Sequence, residues 1–569
     1  MNTRSKTGLD ILKVAVIAGL LGNVLLRQTP WGLNVLLFNS VFVAGTVMLL
    51  LRRKREYLTA QTVALLGAQI FFAAMFIWRD SIELRVADSA AILTVLSVLF
   101  VPQFKVVPRL AGVLNFAVGF VWASLNAAFA PVVLLASDIN WKLGERSAAT
   151  RNMVAIVRGF LIALPLILLF GALFVAADAA YQNLVNQVFN INIDFDTVIS
   201  HVVLTAVFGW LSAGYLRGLI IGFDPKFAAV PDVIEKRDGE ADPKGDETGL
   251  TGNLSILDHI NRSDPPDTPS QPAESKKGWE WDNIHGGLLP HAFKLGAIEI
   301  GIFLGLVNLL FLSFVLVQLR YLFGGMELVR NTPDFKLAEY ARHGFGELVA
   351  VSALVLPILL ASHWLIDKEN RSASRLFRSF AAVLIGLLFV IMASATQRLL
   401  LLTGSLGYGL TTVRLYPMIF MIWLAVVFMW FAMTVLQDRR QYFAWGALWS
   451  AFFILGATHF LNPDDFIVRT NTRLYQAGRD FDAKYNSELS ADAVPALMES
   501  AAVLDHDKWC AVQGGLARRS AIASTETDLR SWNISRAAAS AEFEKNAAFL
   551  DPAGCPESVV QPLADEVPH

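Results

Sequence analysis

The sequence predicts an all-α protein: a polytopic integral membrane helix bundle of about 12 spans, followed by a small α-helical C-terminal domain. Two observations lead to this prediction. Hydrophobic residues make up 54% of the 569 residues and only 17% are charged, whereas a soluble globular chain is about a quarter charged. The apolar residues also stand in blocks of roughly 20, a length that crosses a ~30 Å hydrocarbon core.

The predicted spans fall into two groups, which a hydrophilic segment separates. The first apolar block, from Val14 to Leu26, follows Arg4, Lys6 and Lys13, which resembles the charged start of a signal peptide. Its exit, "RQTPWGLN", lacks a small-x-small cleavage site and another span follows at once, so we interpret it as a retained helix. The predicted spans are residues 11–27, 32–51, 60–78, 86–101, 110–137, 155–176, 197–222, 294–318, 345–365, 379–402, 416–437 and 442–461.

Basic residues in the short loops predict the orientation of the bundle. The loop "RRKRE" at 52–56 and the pair Lys105 and Arg109 should lie inside, together with the N-terminus. The later loops "WKLGERSAATRNMVAIVRG", "DKENRSASRLFRS" and "QDRRQ" should also lie inside. These two sets conflict if 110–137 crosses once, so the sequence requires either two crossings there or a re-entrant segment. The later loops then place the C-terminus outside.

Two hydrophilic regions complete the predicted organisation. Membrane helices in 1–222 are followed by residues 223–290, which are rich in Pro, Gly, Asp, Glu and Ser. Such a composition cannot bury enough apolar surface to offset its chain entropy, so we expect a disordered cytoplasmic loop. Membrane helices in 291–461 lead to residues 462–569, where "SELSADAVPALMESAAVL" has a capping start and helical apolar spacing. We expect a soluble, extracytoplasmic α-helical domain there.

Both cysteines of the chain, Cys510 and Cys555, lie in that C-terminal domain. One interpretation is two unrelated free thiols. The other is a disulfide, which requires an oxidising compartment. An extracytoplasmic C-terminus provides such a compartment, so the charge bias of the loops and the placement of the cysteines agree.

Several spaced motifs lie in the second half of the chain. The first motif comprises Asn462, Pro463, Ile467, Arg469 and Asn471, and "LSADAVPAL" follows it. The others are "EYARHGFGEL", "YGLTTVRLY" and "SWNISRA". Together these motifs resemble a bacterial membrane family known as domain of unknown function 4173, which is related to 4153. The resemblance implies a multi-pass protein of the bacterial cytoplasmic (inner) membrane. It implies no activity, substrate or cofactor.

A group of polar residues near the predicted outer ends of four spans forms the candidate ligand-binding site. One interpretation is that its arginines pair with acids or lipid phosphates and fix helix packing. The other is a cationic cleft open to the outer leaflet, because arginine binds phosphate through bidentate hydrogen bonds. The candidate residues are Asp178, Tyr340, Arg342, His343, Glu347, Arg398, Tyr408, Thr411 and Arg414.

Two functions remain open from the sequence. The cleft would bind or handle an anionic ligand, such as a lipid head group or a lipid-linked phosphate. Alternatively, the protein is a non-catalytic envelope sensor or scaffold, and its C-terminal domain binds a protein partner. No motif indicates a catalytic reaction, so enzymatic activity stays open. Nothing in the sequence predicts a cofactor, a metal site or a nucleic-acid partner.

Overall fold

Long apolar helices dominate the protein, as its composition predicts. The computed structural model describes residues 3–27, 30–139, 195–222, 297–323, 337–366, 371–400, 403, 409–525, 528–547 and 555. Within these ranges there is no β-strand, and eleven helices are long and apolar enough to cross a membrane. The all-α, many-spanning fold is therefore confirmed. These helices are α1 (Thr3–Leu26), α2 (Leu33–Arg53), α3 (Ala60–Trp78), α4 (Ile82–Val98), α5 (Val113–Val133), α6 (Phe195–Ile220), α7 (Ala297–Phe323), α8 (Leu337–Leu365), α9 (Arg371–Leu400), α10 (Thr412–Thr434) and α11 (Phe443–Leu461).

Eleven of the twelve predicted spans coincide with these helices. Helices satisfy their own backbone hydrogen bonds, which is the requirement for a chain segment in hydrocarbon. The twelfth predicted span, 155–176, lies outside the described residues. So does the whole segment 223–290, which the sequence predicts to be a disordered loop.

Helices α1 and α6 pack closely and run antiparallel, and they define the two ends of the bundle. The Cβ that any other residue would add at Gly19 would lie 2.6 Å from the carbonyl oxygen of Thr205. Near the end of α1, Asn23 is 2.9 Å from a ring nitrogen of His201 on α6. We call the end at which α1 begins the N-terminal end, and the other the junction end.

Helix α5 starts and finishes at the N-terminal end of the bundle. Near its start, the Cβ position of Gly119 lies 2.7 Å from the carbonyl oxygen of Ser97, in the last turn of α4. Beyond its last turn, Asp138 forms ion pairs with Arg4 at 2.7 Å and with Arg217 at 2.9 Å. Both arginines belong to the N-terminal end, so α5 makes no net crossing. Residues 113–138 form a continuous helix with both ends on the same side, so they fit neither one crossing nor two.

The residues after α11 form a compact cluster of short helices, which we call the C-terminal domain. Its core contains Val468, Phe481, Leu497 and Leu516, all fully buried, and Leu415 of α10 joins that core. The helices are α12 (Pro463–Gln476), α13 (Ala483–Glu488), α14 (Val494–Ser500), α15 (His506–Thr525) and α16 (Ile534–Lys545).

A disulfide joins α15 to the chain beyond α16. It links Cys510 to Cys555, as one of the two interpretations of the sequence expects. Because 45 residues separate the two cysteines, the cross-link removes conformational freedom from the unfolded chain.

Candidate functional site

The C-terminal domain contacts the bundle at the junction end, where the loop Arg79–Ser81 joins α3 to α4. The carboxylate of Asp492 accepts hydrogen bonds from the backbone N–H groups of Asp80, at 2.7 Å, and Ser81, at 3.0 Å. It also accepts one from the hydroxyl of Ser535 and forms an ion pair with Arg79 at 3.4 Å. Asp492 is only 4% exposed. Charge-assisted hydrogen bonds of this kind are strong, so they fix the domain on the loop.

A second buried carboxylate, Asp464, lies beside Asp492. Its Oδ2 atom accepts hydrogen bonds from the N–H and the hydroxyl of Ser490. Its Oδ1 atom is buried and has no hydrogen-bond partner in the described structure. Burial raises the pKa of Asp464 to about 6, and the nearby charge of Asp492 acts in the same direction. Asp464 is therefore a group that exchanges its proton close to neutral pH.

Three arginines converge on a cavity of about 460 Å³ between this loop and the C-terminal domain. Arg85 comes from α4, Arg519 from α15 and Arg536 from α16. We call this cavity the arginine pocket. The carboxylate of Asp80 also lines it, and it forms ion pairs with Arg85 and, at 3.4 Å, with the Nε atom of Arg536. The carboxylate of Asp80 is thus the ion-pair partner of two of the three guanidinium groups.

Arg519 differs from the other two arginines of the pocket because its described partner is a backbone carbonyl rather than a carboxylate. Its Nη1 atom donates to the carbonyl oxygen of Ser490 at 3.2 Å, and among the described residues it forms no ion pair. A guanidinium has five N–H donors, so most of those of Arg519 are available for a ligand. Burial lowers the pKa of Arg519 from its ordinary value, yet an arginine remains charged in proteins. A partly desolvated cation therefore lines the cavity.

A buried pair inside the bundle adjoins the same loop. His459 on α11 is 3.0 Å from a carboxylate oxygen of Asp88 on α4, and neither residue is more than 1% exposed. The carbonyl oxygen of His459 accepts a hydrogen bond from Arg79 at 2.8 Å. The pair therefore links α4 and α11 directly beneath the docked domain.

Two residues of the sequence-predicted site lie where α10 begins. The side chain of Arg414 donates to the carbonyl oxygen of Gly409, and the carbonyl of Thr411 accepts from the backbone N–H of Arg414 at 3.0 Å. The amide of Asn471 then holds this turn by bonding both the N–H of Leu410, at 2.6 Å, and its carbonyl, at 3.0 Å. Two of the sequence motifs thus meet here, and these hydrogen bonds stabilise the turn.

The side chains of most other predicted site residues lie outside the described structure. Arg398 is half-buried on α9. Asp178 and Tyr408 lie outside the described residues. The cleft therefore stays a prediction. The remaining four residues lie in the first turns of α8: Tyr340, Arg342, His343 and Glu347.

Sequence analysis missed the arginine pocket, although a signal was present. The stretch "RDSIELRVAD" at 79–88 places five charged residues between two apolar spans. Arg536 stands in the motif "SWNISRA", and Arg519 in "GLARRS". These three segments are far apart in the chain, so only the folded structure shows that they meet.

Comparison with known proteins identifies a family but no characterised relative. No curated protein and no solved structure matches the chain. Residues 66–500 match a family described as "Domain of unknown function (DUF4153)". The matched range begins in α3, and it contains the loop Arg79–Ser81, the buried Asp464 and the buried Asp492. Because the match covers most of the sequence, the chain belongs to this DUF4153 family of unknown function.

Proposed function

We propose that this multi-pass membrane protein binds a phosphate-class anion in the arginine pocket. The observation that carries the proposal is Arg519, a half-buried arginine that lines the cavity and forms no ion pair among the described residues. A buried charge is costly unless it is paired. An anion in the pocket would provide that partner.

The other arginines of the pocket support the same ligand. Arg85 and Arg536 both pair with Asp80, and Asp528, the other carboxylate in the wall, pairs with Arg530. Neither carboxylate forms an ion pair with Arg519 among the described residues. Like charges repel at short range unless an anion lies between them. A guanidinium also matches the geometry of phosphate oxygens through two parallel hydrogen bonds.

The ligand class proposed for the arginine pocket is the one that the sequence predicts, but the residues that would bind it are different. The predicted cleft centres on Arg398, Arg414 and Arg342, whereas the pocket uses Arg85, Arg519 and Arg536. The two places are connected, because the hydroxyl of Tyr416 on α10 is 3.1 Å from that of Ser81 in the loop below the pocket. The anion would therefore lie at the junction end, next to the docked domain.

Binding of inorganic phosphate and of glycerol phosphate to the purified full-length protein tests this proposal. We expect saturable binding, and a loss of affinity of at least about tenfold in Arg519→Gln. Arg479→Gln is the matched control, because Arg479 is an exposed arginine of the same domain outside the pocket. It should bind like the unmodified protein.

Two results would overturn the proposal: no saturable binding of either anion, or equal affinities in the Arg519→Gln and Arg479→Gln proteins. The second candidate, a sensor or scaffold that acts through the C-terminal domain, predicts that second result. Under that alternative, removal of the Arg519 charge leaves anion binding at the level of the control.

A further inference from the structure

A second cavity lies inside the bundle, close to the arginine pocket, and its wall is almost entirely apolar. It measures about 440 Å³, within the range of typical ligand sites, and helices α2 to α6 enclose it. Aromatic residues supply much of its wall, among them Phe38, Phe42, Phe208 and Tyr215. We call it the chain cavity.

The chain cavity opens on the outer surface of the bundle. Three apolar residues at its rim are strongly exposed: Leu93 at 54%, Phe120 at 52% and Leu211 at 45%. They belong to α4, α5 and α6, which are apolar helices of spanning length. The medium around such a surface is hydrocarbon rather than water. The natural occupant of this cavity is therefore a hydrocarbon chain that enters from the side.

The size of the chain cavity fits part of such a chain. Along α4 its wall runs from Ser89 to Ser97, a distance of about 12 Å at about 1.5 Å per residue. That is less than half of a ~30 Å hydrocarbon core. Its lining also reaches Leu26 and Trp31 at the junction end, so a chain inside it would extend from that end to the last turn of α4.

One buried polar atom in the wall also lacks a partner. Gln69 is 1% exposed, and its Nε2 atom donates to Asn39 at 3.0 Å. Its Oε1 atom is buried and has no donor among the described residues. Native structures seldom leave a buried acceptor unsatisfied. A ligand with a hydroxyl or amide N–H close to its chain would provide the donor.

The chain cavity and the arginine pocket are neighbours. Pro30 lines the arginine pocket and the next residue, Trp31, lines the chain cavity. Arg536 donates to the carbonyl oxygen of Trp31 at 2.8 Å. Asn533, in the wall of the pocket, donates to the carbonyl of Phe76, in the wall of the cavity, also at 2.8 Å. A single layer of residues therefore separates the two.

Exposed apolar side chains mark the surface at which the two cavities meet. Leu529 and Trp532 line the arginine pocket and are 79% and 45% exposed, and Trp31 is 47% exposed. Tryptophan is enriched at the level of lipid head groups. This surface therefore has the composition of a region that lies against the membrane interface.

We infer that the ligand is an anionic lipid, with its head group in the arginine pocket and one hydrocarbon chain in the chain cavity. This inference rests on the proposed function, because it assigns the anion of the arginine pocket to a lipid. It adds a second binding site, and it predicts that affinity depends on both the charge and the chain.

Lipid binding to the full-length protein, measured by native mass spectrometry, tests the inference. The probes are phosphatidylglycerols of increasing acyl length, a phosphatidylcholine with the same chains, and water-soluble glycerol phosphate. Affinity should rise with acyl length and be lower for phosphatidylcholine.

Ala123→Leu places extra atoms in the cavity wall, since Ala123 is a buried residue of α5 that lines it. It should weaken binding of long-chain phosphatidylglycerol by about tenfold and leave glycerol phosphate binding unchanged.

The outcomes separate this inference from the proposed function. If acyl length has no effect on the unmodified protein, the inference fails, and this series does not depend on the folding of any variant. If Ala123→Leu folds and binds every lipid normally, the inference also fails. In either case, weaker binding of glycerol phosphate to Arg519→Gln would still support the arginine pocket. If Arg519→Gln binds every probe normally, the proposed function fails as well.

Discussion

Gly32 lies where α2 begins, directly against the backbone of the C-terminal domain. A Cβ at this position would lie 2.5 Å from the carbonyl oxygen of Trp532 and 2.6 Å from that of Ser531. Backbone atoms cannot rotate away as a flexible side chain does. We therefore expect Gly32→Ala to destabilise the docked protein by about 1–3 kcal/mol, the usual cost of overpacking, and to make the domain more sensitive to protease.

Gly67→Ala is the matched control for this change. Gly67 lies in the interior of α3, and a Cβ there meets no atom within 4 Å. Alanine is more favourable than glycine inside a helix by about 1 kcal/mol. In thermal unfolding, this variant should therefore be as stable as the unmodified protein or slightly more stable. If Gly32→Ala matches the control in both assays, the close contact between domain and bundle is wrong.

Asp464 makes the stability of the protein depend on pH. Its pKa is about 6 in the folded protein against an ordinary value of 3.8, so the folded state binds the proton more tightly than the unfolded state. The contribution of this group is therefore most favourable below about pH 4 and is lost as the pH rises through about 6. A difference of about two units corresponds to roughly 3 kcal/mol.

The pH dependence of thermal unfolding checks this expectation. Asp464→Asn removes the titrating group. Between pH 4 and pH 7, the unmodified protein should therefore lose roughly 3 kcal/mol of unfolding free energy that the Asp464→Asn protein does not lose. Asp507→Asn, at an exposed position of α15, is the control. A constant difference between Asp464→Asn and the unmodified protein over this range would show that Asp464 is not a buried, proton-sharing carboxylate.

Helix α5 shows why hydropathy alone does not determine topology. Its sequence is as apolar as that of a crossing helix, but its two ends contact the same end of the bundle. We therefore expect cysteines introduced at Lys105 and at Ser137, on either side of α5, to react with a membrane-impermeant thiol reagent from one and the same side. The native cysteines are joined to each other and should not react.

The thiol reagent should also label a cysteine introduced at Lys6 from the side on which it labels these two positions, because α1 begins at that end. Labelling of Lys105→Cys and Ser137→Cys from opposite sides would show that α5 crosses the membrane. In that case, the agreement between the basic loops before and after α5 would need another explanation.

The long helices of the molecule were predictable because apolar runs of spanning length have few alternatives. The path of α5 was not, because it depends on contacts of Asp138 with Arg4 and Arg217 rather than on local composition. The disulfide was one of two interpretations that the sequence left open, because both cysteines lie in the same domain. The arginine pocket could not be predicted, because Arg85, Arg519 and Arg536 meet only when the C-terminal domain packs on the loop between α3 and α4.

Among the described residues, an apolar helix bundle is covered at its junction end by a small domain. The N-terminus of α1 and the C-terminal domain lie at opposite ends of the bundle, because Arg530 of the domain donates to the carbonyl oxygen of Val24, near the end of α1. If the N-terminus is inside, as the basic loops predict, the domain and the arginine pocket are outside. Phosphate-bearing lipids of the outer leaflet would then be within reach of the pocket.

A structure of the full-length protein extracted together with its native lipids tests the arginine pocket most directly. The account predicts a phosphate-bearing group in the pocket, with its oxygens at hydrogen-bonding distance, about 2.7–3.2 Å, from the guanidinium of Arg519. The same density should be absent from the Arg519→Gln protein. A carboxylate of the chain itself paired with Arg519, or phosphate groups bound only elsewhere on the bundle, would contradict the account.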